Sequence, residues 1–110
     1  MIRVTIYMEE HQVCRGFDLE GHAGFSESGT DIVCAAASML VINTLNALER
    51  YTADETSCVT AEEEGQILFR FLKSPSHDAE LLVKTMILGL ESLEDNREYE
   101  PYIDIIFKEV

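Results

Sequence analysis

The sequence predicts an α+β protein in two layers, a sheet with helices packed on it. Three observations predict it. Short segments alternate apolar and polar residues with the period of a strand, as in Ile2–Met8. A stretch from Ile32 to Leu48 holds no charged residue, and His77 to Glu94 carries apolar residues at helical spacing. The two kinds of segment succeed one another as β-β-α-β-β-α-β within 110 residues, the length of a single domain spanning 1–110.

In Ile2–Met8, Ile2, Val4, Ile6 and Met8 share one face and Arg3, Thr5 and Tyr7 the other, which is a half-buried strand. Glu9-Glu10-His11-Gln12 is a polar turn. Val13–Glu20 is the returning strand, with Val13, Phe17 and Leu19 inward; Arg15 breaks the alternation and Gly16 marks a candidate bulge. Gly21–Thr30, with Gly21, Gly24, Gly29 and two serines, has no apolar period and reads as a loop. Thr30 or Asp31 then caps a helix running to about Arg50, favoured by Ala35, Ala36 and Ala37. That helix is apolar over most of its circumference, so a second helix or a partner subunit is expected against it as well as the sheet.

Ser57–Glu62 and Gln66–Leu72 form a second hairpin through Glu63-Glu64-Gly65, with Ile67, Phe69 and Phe71 on one face. Ser74-Pro75-Ser76 is a loop that supplies an N-cap. The helix after it places Ala79, Leu82, Val83, Met86, Leu90 and Leu93 on one side and Glu80, Lys84, Glu91 and Glu94 on the other. Tyr102–Lys108 alternates as a last strand.

Composition narrows the function classes. The chain is 46% hydrophobic and 26% charged, with 8 Lys+Arg against 21 Asp+Glu and a net charge of −13. Such a surface repels phosphates, which argues against direct nucleic-acid binding. It attracts basic partners, ribosomal proteins being among the most basic, or serves solubility alone, and charge does not separate the two. Asn43, Asn46 and Glu49 interrupt the longest apolar stretch, and Met1–Thr5 lacks the run of a signal peptide, so no membrane segment is expected and the cytoplasm is the expected compartment. Cys14, Cys34 and Cys58 are odd in number and lack metal-ligand spacing, so neither a disulfide scaffold nor a metal or other cofactor is expected.

The chemistry is concentrated between Gly21 and Ser38. With Asp31 as the cap, Cys34 falls in the first helical turn, where free N–H groups and the helix dipole stabilise a thiolate and can hold an oxyanion. His22 ends a strand, and a loop joins it to the helix start, so imidazole and thiol can meet as base and nucleophile. On these residues alone the structural alternatives stay open. A cysteine between Val33 and three alanines also suits a core, and a histidine among glycines suits a turn. Ser38 can support the site or bond its own helix backbone, and Asp31 can orient His22 or only cap. Cys14 and Cys58 are read as structural strand residues. His11 and His77 sit in a turn and at a helix start, with no catalytic case.

Gly-His-Ala at 21–23 together with Gly-x-Asp-Ile-Val-Cys-Ala-Ala-x-Ser at 29–38 resembles the signature of the ribosomal-processing cysteine protease family, Prp. The resemblance takes in the hairpin before the motif, the helix after it and the chain length. It implies that Cys34 is the nucleophile and His22 its base, with a substrate loop at Gly24–Thr30 that includes Phe25 and Gly29. It establishes no third catalytic residue, and Asp31 and Ser38 stay supporting residues on the reading above. It also implies a homodimer, and as substrate the precursor of large-subunit ribosomal protein twenty-seven, whose N-terminal extension is removed before ribosome assembly. That extension is expected to be apolar with aromatic residues before the cut, over which Phe25 could close. Ala37 stands where many relatives carry valine, a difference expected to affect packing. Two other readings stand beside it: an acidic, non-enzymatic module that holds a basic ribosomal protein by its surface and needs no reactive thiol, and a different thiol enzyme, such as an acyl transferase, on the same Cys–His pair.

Overall fold

The computed structural model describes the backbone of residues 1–21, 28–61 and 65–110, and the side chains of these except 28–31. The hairpin opens with β1 (Ile2–Glu9), a 3-10 turn at Glu10–Gln12 and β2 (Val13–Glu20). Then come α1 (Ser28–Tyr51), β3 (Thr56–Ala61), β4 (Gln66–Phe71), α2 (His77–Glu94) and β5 (Ile103–Glu109). This is the expected order. The five strands form one sheet in the order β3-β4-β2-β1-β5, antiparallel except for the parallel pair β1–β5.

Alternation in β1 turns Ile2, Val4 and Ile6 into the core as read from the sequence. Across from it β2 carries a bulge. Tyr7 pairs with Gly16 but Met8 pairs with Cys14, so Arg15 is the unpaired extra residue. The extra residue reverses the alternation before it. Cys14 therefore faces inward and Val13 does not, which corrects the inward assignment of Val13. Phe17 and Leu19 are buried as expected, and the Phe17 ring stacks on Phe69 at 4.7 Å between centroids.

Both helices lie on that inner face. α1 presents Val33, Ala37, Val41, Thr44 and Leu48 inward, and α2 presents Ala79, Val83, Met86 and Leu90. Ser76 caps α2 by accepting a hydrogen bond from the Ala79 N–H at 3.2 Å. Its own N–H and hydroxyl donate to Asp54 at 2.7 and 2.6 Å, which fixes the start of α2 against the chain leaving α1. The helices also meet each other: a Cβ at Gly89 would lie 2.9 Å from Leu40 Cδ2, so a larger residue there would make the Leu40 side chain shift.

The second helix expected against α1 is thus α2. Ile32 and Met39 on α1 nevertheless stay 50% and 64% exposed. By length and composition alone Ile32–Tyr51 could cross a membrane, which the sequence reading discounted on account of Asn43, Asn46 and Glu49. In this fold its buried stripe is part of the sheet's core. The opposite sheet face carries a polar cluster, in which Asp18 accepts from the Tyr7 hydroxyl at 2.7 Å and from Arg70 Nη1 at 2.6 Å, with the guanidinium over the Tyr7 ring.

Candidate active site

The end of β2 and the flank of α1 build the site. At Gly21 the chain takes φ +110°, and a Cβ there would collide with the Met1 carbonyl oxygen and lie 3.2 Å from Ile2 Cα. Both the backbone angle and the close approach demand glycine, which gives the first residue of the Gly-His-Ala motif a structural reason. Gly21 ends the strand beside a groove of about 470 Å³ whose other wall is α1.

Along that wall Cys34, Ser38, Ile42, Leu45 and Asn46 follow one another at helical spacing. They are rotated off the buried stripe of Val33, Ala37 and Val41, so Cys34 is half-buried rather than part of the core. Leu19 and Gly21 from β2, Thr60 from β3, and Gln66 and Ile67 from β4 complete the lining. Leu19, Ile42, Leu45 and Ile67 make the groove apolar. Ser38, Asn46 and Gln66 bring polar side chains that make no hydrogen bond among the described residues.

The three thiols divide sharply. Cys14 is buried beneath the bulge, with its Sγ 3.3 Å from the Gly16 carbonyl oxygen; burial pushes its thiol up to about 11, a protonated and inert group at neutral pH. Cys58 lies on the edge strand β3, against Leu45 and Phe69, and desolvation raises its pKa too. It is exposed, so the structural role expected from its strand position does not hold for Cys58. Cys34 alone of the three stands at the head of the apolar groove.

One part of the predicted geometry is corrected. α1 begins at Ser28, ahead of Thr30 and Asp31, so neither residue is the cap. The unpartnered N–H groups of the helix start therefore precede Cys34, which lies in the second turn, within the i to i−4 ladder. Its own turn cannot supply the free N–H donors first expected for a thiolate or an oxyanion. The difference arises because Ser28, Gly29 and Thr30, read as loop residues, occupy the first turn, where short polar residues are tolerated.

Ser38 lies one turn after Cys34 on the same groove. Gly29 and Asp31 fall in the first turn of α1. His22, Gly24 and Phe25 lie outside the described residues. Ala37 is fully buried against the sheet, so a larger side chain there would alter packing rather than chemistry. Sequence reading missed Leu19, Ile42, Leu45, Asn46, Thr60, Gln66 and Ile67. Only the four-residue spacing from Cys34 through Ser38 to Ile42 hinted at a shared flank. Among the described residues no group of His, Cys, Asp and Glu is arranged to hold a metal ion.

A half-buried thiol lining an apolar groove of peptide size fits a class, the thiol enzymes. Known proteins make the class particular. The family model of cysteine protease Prp matches residues 1–104, and the chain belongs to that family. The ribosomal processing cysteine protease Prp of Bacillus subtilis is 33% identical over 104 residues, covering 91% of each chain. The crystal structure of the essential ribosomal processing protease Prp from S. aureus with a substrate peptide superposes with a TM-score of 0.90 at 28% identity, covering 98% of this chain and 100% of that one. The same S. aureus protease with a covalently linked product peptide gives 0.87 at 29%, over 98% and 100%. The chain is a cysteine protease, and its mixed five-stranded sheet with two helices is the architecture of the Prp structures.

Proposed function

We propose that this protease removes the N-terminal extension from the precursor of large-subunit ribosomal protein twenty-seven, with Cys34 as nucleophile and His22 as general base and acid. The observation that carries the reading is the position of Cys34 at the head of the groove, opposite Gly21, the residue bonded to His22. The ribosomal substrate class is supported by the relatives, which are ribosomal processing proteases, and by the net charge of −13, which attracts a basic precursor. The apolar lining of Leu19, Ile42, Leu45 and Ile67 suits an apolar, aromatic extension.

In the reaction His22 takes the Cys34 proton and the thiolate adds to the scissile carbonyl carbon, forming the C–S bond. The tetrahedral intermediate collapses with cleavage of the C–N bond, and the leaving amine takes its proton from the His22 imidazolium. Water, deprotonated by His22, then attacks the thioester and releases the carboxylate and the free thiol. Ser38, Asn46, Thr60 and Gln66 are the groove side chains within the described residues that carry donors for the oxyanion, Ser38 only one helical turn from Cys34, and Asp31 is the orienting residue for His22.

The enzyme works as a homodimer in the cytoplasm; the exposed Ile32 and Met39 on α1 support the second copy. Sedimentation as a monomer at micromolar concentration would count against the dimer. Cleavage of a peptide spanning the precursor junction tests the pair. Cys34→Ala and His22→Ala should each abolish it while the fold survives, and normal cleavage by Cys34→Ala would end the assignment.

A further inference from the structure

The groove at Cys34 does not stop at Asn46. A second cavity of about 460 Å³ adjoins it, sharing Leu45 and Asn46, and continues along the same flank of α1 to Glu49 above Cys58 and Thr56. From Cys34 to Glu49 the helix rises about 22 Å, which is the span of roughly seven extended residues. The far wall of the path is β3, an edge strand.

The two edges of the sheet are treated differently. β5 carries Asp104, Lys108 and Glu109, and the Glu94 carboxylate accepts a hydrogen bond from the Ile105 N–H at 2.9 Å. Such devices block pairing with another chain. β3, Thr-Ser-Cys-Val-Thr-Ala, has no charge, and its backbone bonds only β4 among the described residues. Its outer edge is an open template for an added strand, and it lies beside the groove that begins at Cys34.

We propose that the residues preceding the cut bind as an added strand on the free edge of β3, beneath the outer flank of α1, and cover Cys58. Main-chain hydrogen bonds to β3 supply affinity independent of sequence, while alternate side chains enter the apolar space under Ile42 and Leu45. Asn46, midway along the path, has an amide free to bond the peptide backbone. The occupant is an extended peptide several residues long, so the enzyme recognises a length of chain as well as the residues at the scissile bond. The inference rests on the proposed endopeptidase reading.

Cys58 provides the test. In Cys34→Ala the remaining thiols are Cys58, exposed, and Cys14, buried. N-ethylmaleimide labelling of that variant is followed by peptide mapping, with and without a peptide spanning the precursor junction whose binding is measured by fluorescence anisotropy. At about ten times its Kd the peptide should slow labelling of Cys58 about tenfold by simple occupancy, and amide exchange in Thr56–Ala61 should slow with it. Unchanged Cys58 labelling with the peptide bound overturns the path along β3 and leaves the assignment of Cys34 standing. Failure of the peptide to bind at all overturns the path together with the proposed substrate.

Discussion

Two cysteines in the inner half of this molecule sit in regions built by opposite rules. Around Cys14 the bulge at Arg15 turns the thiol into the core, where desolvation holds it protonated and its Sγ hydrogen-bonds the Gly16 carbonyl. Around Cys34 the helix turns the thiol off its buried stripe and onto a groove. The residue type is the same, and a shift of one position on each element decides between inert packing and chemistry. Side-chain direction, not identity, separates the core thiol from the one that faces the groove.

The largest effect that could break this contrast is on turnover. Cys34→Ala should lower kcat for the precursor peptide by more than about 10³-fold, as removal of a nucleophile does in other hydrolases. Cys14→Ala should leave it near the wild-type value. A comparable loss from Cys14→Ala in a folded protein would show that the two thiols are not separated as described.

The next effect concerns alkaline stability. The folded pKa of Cys14 is raised to about 11 from 9.0, so the unfolded chain releases this proton first as pH rises. Its contribution is complete below pH 9 and is lost between about pH 9 and pH 11, at about 1.4 kcal/mol per pH unit for one proton. Urea unfolding across that window should show a shallower loss in Cys14→Ala than in the wild type. Tyr7, raised chiefly by its hydrogen bond to Asp18, adds a separate alkaline loss, so Tyr7→Phe is the control.

Gly21→Ala sharpens the contrast from the groove side. A side chain at φ +110° that also meets the Met1 carbonyl should cost about 2 kcal/mol, read as a lower urea midpoint. Cleavage should fall further than the stability loss explains, because the strain lies where the chain passes to His22. The smallest effect is expected at Cys58, where Cys58→Ser on an exposed edge strand should change stability by less than about 0.5 kcal/mol.

Much of the fold was legible from local periodicity. The readings Ile2–Met8, Gln66–Leu72 and His77–Glu94 agree with β1, β4 and α2 to within one residue, because the apolar residues of each keep a single period. Val13 was misread because a bulge changes the phase of a strand without changing its composition; the broken alternation at Arg15 and the adjacent Gly16 were its visible signs. The start of α1 was set too late because Ser28, Gly29 and Thr30 suit a loop and a first helical turn equally. The parallel pairing of β5 with β1 and the edge position of β3 depend on contacts between distant segments, which no local period records. Cys34 and Ser38 were found by motif. The rest of the groove comes from three strands and a helix, and only the fold brings them together.

The central claim is that Cys34 forms the covalent bond to the substrate, and the most direct measurement is to trap that bond. The enzyme is mixed with an equimolar precursor peptide, quenched in acid within a turnover and digested for mass spectrometry. The account predicts the acyl portion of the peptide on the fragment carrying Cys34, as a thioester released by hydroxylamine. An adduct on Cys58 in place of Cys34, or cleavage with equal efficiency by Cys34→Ala, would contradict it.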